Sequence, residues 1–465
     1  MAETHHDQSK PDSDSAKLVH GSIAGHIFRQ TYPVVFGVAA IMSIGIIDAY
    51  FVGNLGPDNL AAISFIFPVT TALSSLGVGV IAGTSSVVSR ALGKGDDEAA
   101  AEAANVAVLL SFVIGVAIAA ALYFGRTQLF ELMQAEEAQL GLIDAYMVPF
   151  ALAFPLLLLV MGFNGVLRGQ GAAKRSTAIL ISFAAANWVL DPILINGAFG
   201  FEGLGIVGAS YATVAGWALG CAVGFWLMQT GQLPFHPRHL ARCDWRASVT
   251  ALARVAGPAS FSNAINPIGL SVLTAMIAAE GASAVAGFGI GGRLQTFAVV
   301  PLLALSSSIG AIVGQNWGAE EMGRVRRALM ISFGFCVVYG LAAAAVLFVG
   351  RDWFSSRFSD DAAAVQASVR YLQIAVWGYA AYGLLIVANG VFNAIDRAGV
   401  ALALSVARVL LVMVPFAWVL RGSWGADAIY AAELASNLAG AAASLLVCAM
   451  AVGLFGMKRR AEAAT

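Results

Sequence analysis

The sequence predicts an all-α integral membrane fold: twelve transmembrane helices in two six-helix lobes related by pseudo-two-fold symmetry. Three observations carry that expectation. Hydrophobic residues fill 59% of 465 positions and charged residues only 11%, against about 25% charged in soluble domains. The apolar stretches exceed the roughly 20 residues a spanning helix needs, where an outer-membrane barrel would show alternating strands of about ten. The two halves also repeat at a constant offset of 225 residues, placing Gly56 on Gly281, Leu60-Ala61 on Val285-Ala286, Gly93 on Gly318 and Asn164-Gly165-Val166 on Asn389-Gly390-Val391. Six spans separate the copies, so the repeats are parallel and related by an axis along the membrane normal.

In chain order, the polar first residues carry no short apolar core and read as a cytoplasmic tail, 1–22, rather than a cleavable leader. An N lobe at 23–229 holds spans 29–53, 60–83, 101–124, 142–167, 176–197 and 204–229. A cytoplasmic connector at 230–249, containing GQLPFHPRHLARCDWRAS, leads to a C lobe at 250–455 with spans 250–279, 285–312, 327–349, 367–394, 399–420 and 426–455. A second tail covers 456–465. Nineteen Lys and Arg residues fall on the side of the N-terminus and five on the other, with Arg293 and Arg408 inside spans. Positive residues in short loops stay cytoplasmic, so both termini of this multi-pass protein are expected there.

Composition and spacing also exclude function classes. The net charge is −1 and the basic residues are scattered over short loops, so no basic face tracks a nucleic acid backbone. Cys221, Cys243, Cys336 and Cys448 show no CxxC spacing, and no disulfide is expected. His236, His239 and Cys243 sit in the connector without a fourth partner, so no metal is expected. The glycine tracts at 77–83 and 287–292 lack the GKS/T ending of a phosphate loop and read as close-packing positions on helices. No convergent nucleophile or metal set supports a polytopic enzyme, and no cofactor is implied beyond a coupling ion.

The chemistry points to transport. A carboxylate inside the bilayer costs about 2.5–3.5 kcal/mol on insertion scales and marks ion or substrate paths. Asp48 lies in the first span within IGIIDAYFVGNLG, and Asp191 in the fifth within AANWVLDPILING. Asn187 stands one turn before Asp191, where its amide can reach the carboxyl, and Pro192 follows, removing a backbone donor. A carboxyl in low dielectric favours its neutral form and is suited to carry a proton. The alternative is that both acids reach headgroups near the helix ends. The offset sends Asp48 to Leu273 and Asp191 to Phe416, so coupling is expected in the first lobe alone. Glu433, in the last span, is read either as functional or as paired with Arg408 or Arg293, because buried charges are usually paired. Pro33 marks a bend in the first span, static or moving.

With IGIIDAYFVGNLG, NLGPDNLAAISFIFPV, SSVVSRALGKGD, NGVLRGQG and LDPILING followed by GLGIVGASYATV in order, the chain resembles a multidrug and toxic compound extrusion (MATE) transporter. VAGFGIGGRLQTF and VGQNWGAEEMGRVRRAL extend the likeness through the second half. The resemblance implies a two-lobed antiporter that expels cationic or amphipathic compounds against protons or sodium. It places Asp48, Asn187 and Asp191 at a first-lobe cation and proton site, Pro33 at a helix bend, and Thr213 and Ser210 in the same cavity. The pattern resembles the branch related to the DNA-damage-inducible protein F. Ile44 stands where some relatives carry tyrosine, and the second-lobe acids of sodium-driven relatives are missing. The expected partners are small molecules and membrane lipids, and a complete two-lobed cavity permits a monomer. Within transport, the alternative is a lipid-linked precursor or polysaccharide flippase, which would want a basic cavity.

Overall fold

A computed structural model describes residues 16–198, 200 and 202–453. The second expected tail and residues 1–15 of the first lie outside them. Twelve helices among the described residues are long and apolar enough to cross a membrane: α1 Ile23–Gly53, α2 Pro57–Gly93, α3 Asp97–Leu132, α4 Gln139–Gly169, α5 Ala173–Asn196, α6 Ile206–Gln229, α7 Trp245–Glu280, α8 Ala282–Gly318, α9 Met322–Val349, α10 Ala362–Ala394, α11 Ala398–Trp424 and α12 Ala426–Val452. Several run well past the apolar stretch that signals them. Polar caps set their starts: Asp96 Oδ1 accepts the Ala99 N–H at 2.9 Å, Asp244 Oδ1 that of Ala247 at 3.0 Å and Asp361 Oδ1 that of Ala363 at 3.0 Å, each satisfying an orphan donor. The connector is shorter than its polar sequence suggests, because Pro237–Arg242 forms a short helix and the Asp244 cap starts α7 at Trp245.

Each lobe has its own cores. In the first, Met147, Phe154, Leu158 and Trp217 pack with Ile66 and Ile195, and Val88, Leu167 and Met228 fill a second cluster. In the other, Leu305, Ile312 and Phe392 form one cluster, and Leu273, Tyr371 and Ile429 another. The 225-residue repeat recurs in backbone detail: Gly56 and Gly281, before α2 and α8, adopt φ of +118° and +107°, open to a residue without Cβ.

The lobes meet where α2 packs on α7 and α1 on α8, and α2 crosses α8. At that crossing the repeat-related glycines do the same job from both sides. A Cβ on Gly93 would collide with the Gln315 carbonyl, and one on Gly318 with the Arg90 carbonyl. Hydrogen bonds repeat the symmetry there: Arg90 Nη1 donates to the Ala394 carbonyl at 3.0 Å, and Gln315 Nε2, 225 positions on, donates to that of Gly169 at 3.0 Å. These contacts lie at the helix ends on the face that carries the basic loops, called here the basic face.

Candidate functional site

The structure brings the expected first-lobe residues together. Asp48 on α1 and Asp191 on α5 lie within hydrogen-bonding reach of each other. Asp191 and Asn187 are fully buried, and Asp48 is half-buried. Among the described residues, neither oxygen of Asp191 nor Oδ1 of Asp48 has a protein donor. Headgroup contact, the alternative weighed from the sequence, does not describe the fully buried Asp191. The expected Asn187–Asp191 amide contact does not form. Asn187 Nδ2 donates instead to Thr213 Oγ1 of α6 at 3.3 Å, because α6 packs against that face of α5. Ser210 Oγ donates to the Tyr146 carbonyl at 2.8 Å, so Ser210 holds α6 to α4. Tyr146 itself, from α4, reaches Thr213 and faces both acids. Sequence reasoning missed it; as one tyrosine among ten, in an ordinary apolar span, it gives no signal. Pro33 lies inside α1, which continues as helix from Ile23 to Gly53.

In the second lobe the two positions equivalent to the acids are Leu273, fully buried in the core, and Phe416, packed on the same cluster. Glu433 is 3% exposed. Its carboxyl accepts from the Gln295 amide and, at 2.9 Å, from the Tyr371 hydroxyl. Its expected pairing with Arg408 is not formed, and Arg293 is exposed. Arg408 Nη1 donates to Asn437 Oδ1 at 2.7 Å, Nη2 donates to Asn266 Oδ1, and the guanidinium sits 5.7 Å from the Tyr382 ring centre. Neutral amides and a hydroxyl thus hold the two charges separately, Glu433 through both carboxyl oxygens and Arg408 through its two Nη groups. Arg408 opens a π-helical turn, Arg408–Met413, within α11, and such turns often mark functional positions.

Between the lobes lies a cavity of about 470 Å³. Val38, Ile41, Leu303 and Ile386 give it apolar walls, and Ser85, Ser86, Asn263, Asn266, Asn389 and Asn393 polar ones. Among the described residues its charged lining consists of Arg168 and Arg408, with no carboxylate. Both arginines are buried, 8% and 4% exposed. Arg168 Nε donates to Ser176 Oγ at 3.2 Å, and among the described residues Arg408 Nε has no protein acceptor. Among the described residues no three His, Cys, Asp or Glu side chains come close enough to hold a metal ion.

The family profile MatE matches residues 33–193 and again 258–419, one copy per lobe. The chain is 33% identical over 409 residues to the FAD transporter of Shewanella oneidensis, covering 87% of this chain and 89% of that protein. It is 24% identical over 370 residues to the probable multidrug resistance protein YoeA of Bacillus subtilis, covering 79% and 80%. A solved structure, the outward-facing conformation of a multidrug resistance MATE family transporter of the MOP superfamily, superposes with TM-score 0.90 at 23% identity over 96% of this chain and 99% of that one. The repeated profile, the twelve spans and the two-lobed cavity agree: the chain belongs to the MATE family of multidrug efflux transporters.

Proposed function

We propose that this protein exports an anionic aromatic dinucleotide, with flavin adenine dinucleotide as the first candidate, in exchange for protons. The observation that carries the reading is the separation of charges. The acid pair Asp48 and Asp191 sits inside the first lobe, away from the cavity lining, while the cavity between the lobes presents, among the described residues, two arginines and no carboxylate. Arginine forks match phosphate oxygens, and apolar walls with an aromatic ring suit planar bases. The FAD transporter named above, alike over most of its length, supports the same substrate. A cation, the class expected from the resemblance, would meet like charge from Arg168 and Arg408.

The coupling reading rests on Asp48 and Asp191. Two carboxylates in contact can form a hydrogen bond only when they share a proton, and two ionised ones would repel across the α1–α5 contact. Loading and losing a proton is therefore linked to how α1 packs on α5, and through α1 to its contact with α8. That linkage lets a proton gradient bias which side of the membrane the cavity faces. With the basic face inside, protons entering from outside would drive substrate out.

The test uses inverted vesicles carrying the protein, with FAD or ethidium as substrate and a proton or a sodium gradient imposed separately. Proton-driven FAD uptake that is lost in Asp191→Asn and in Arg408→Gln supports both parts. Ethidium transport without FAD transport would replace the substrate, and uptake that follows sodium would replace the ion. The two arginines also favour a second reading, movement of a diphosphate-linked lipid, which the same vesicles test with a fluorescent lipid of that class.

A further inference from the structure

Residues 16–22 precede α1, and we propose that they form a latch that holds the basic face shut and must release before the cavity opens there. The sequence reads this segment as part of a solvated tail, yet Leu18 is 2% exposed. Its N–H donates to Gln315 Oε1 at 3.0 Å, and its carbonyl accepts from Asn316 Nδ2 at 3.1 Å and Arg324 Nη2 at 3.2 Å. Arg324 Nη1 also donates to the Gly21 carbonyl at 2.9 Å, while its Nε donates to Asn316 Oδ1 at 2.8 Å. All three partners belong to α8 and α9 of the C lobe.

The same contact reaches the other lobe. Gln315, which accepts from Leu18, donates to the Gly169 carbonyl at 3.0 Å. The Leu18 side chain lies over Gly171, where an added Cβ would stand 2.9 Å from Leu18 Cδ1. One residue thus ties α8, the turn after α4 and the entry to α1. Opening the basic face must part α1 from α8 and α2 from α7, so it must pull residues 16–22 from Gln315, Asn316 and Arg324.

The repeat supplies an independent observation. The residue 225 positions after Leu18 is Cys243, in the connector, and it packs with Val106 and Ala107 of α3 in the N lobe. Each lobe's first helix is therefore entered through a segment docked on the opposite lobe. The connector joins the lobes covalently, whereas residues 16–22 hold the C lobe by hydrogen bonds and packing alone. They are the releasable member of the pair.

The experiment places a reporter cysteine at Ser86, which lines the cavity and is 3% exposed, in a chain whose four native cysteines are changed to alanine. Inverted vesicles expose the basic face to a membrane-impermeant maleimide. Leu18→Asp, which replaces the packing over Gly171 with a buried carboxylate, and Arg324→Gln, which loses the guanidinium bonds to the Leu18 and Gly21 carbonyls, should each raise the modification rate of the reporter at least about fivefold, the effect of losing one such contact on a two-state opening. Arg324→Lys, which keeps the charge and loses the paired bonds, replaces either variant if it does not fold. An unchanged rate in folded variants overturns the latch. The readout needs no transported substrate, so it stands whether or not FAD is carried.

Discussion

The two lobes descend from one pattern and have diverged in what they do with charge. In the first, α1 and α5 bring two acids together without a basic partner, and in the second the same positions are Leu273 and Phe416. Among the described residues the second lobe keeps one buried acid, Glu433, hydrogen-bonded by Tyr371 and Gln295, and one arginine turned to the cavity. An unpaired acid cluster responds to protons, whereas a satisfied one is a structural network. On the function proposed above, the lobes divide the labour, with coupling in one and much of the substrate contact in the other.

The comparison can be broken in order of expected effect. Asp191→Asn should abolish proton-driven uptake, a loss beyond about a hundredfold, as expected when an intramembrane proton relay loses its carboxyl; uptake driven by substrate gradient alone measures what remains. Arg408→Gln should weaken FAD uptake about tenfold or more, the worth of a charge-assisted contact to phosphate, with the loss appearing in KM. Asn437→Ala, which frees one arm of Arg408, should raise KM less, about three- to tenfold. Glu433→Gln keeps bonds from Tyr371 or Gln295 and should change proton-driven uptake less than about threefold; a loss equal to that of Asp191→Asn would move coupling into the second lobe.

The smallest effect belongs to a turn. Gly171 follows α4 with φ +73°, and its repeat mate Asp396 follows α10 with φ +64°. The aspartate meets Arg90 at 3.7 Å and Arg254 at 3.5 Å, and left-handed backbone favours glycine. Asp396→Gly relieves the backbone and removes partly exposed ion pairs worth about 0–1 kcal/mol. The thermal midpoint in detergent should therefore shift by only a few degrees.

Much of this was legible beforehand. The spans follow from apolar length, and the lobes from Gly56, Gly93 and Asn164 recurring at 225. Asp48 and Asp191 stood out because acids are rare in such stretches. The partners were harder to read. Asn187 sits one turn from Asp191, yet its amide turns to Thr213, because α6 offers a hydroxyl where helix geometry alone offers the acid. Glu433 and Arg408 carry opposite charges in neighbouring spans, yet each is held by neutral groups, from α8 and α10 for the acid and from α7 and α12 for the arginine. Leu18 lies in a polar stretch and is buried by contacts almost 300 positions away.

The sequence by itself determined that the chain lives in a bilayer, that it is two related lobes, and which lobe carries acids in its first and fifth spans, because these follow from composition and spacing along one strand of text. Only the tertiary structure decided the sign of the central cavity. Arg168 at the end of α4 and Arg408 in a π-turn of α11 are 240 residues apart, and the charge a substrate meets is a sum over helices that only packing brings together.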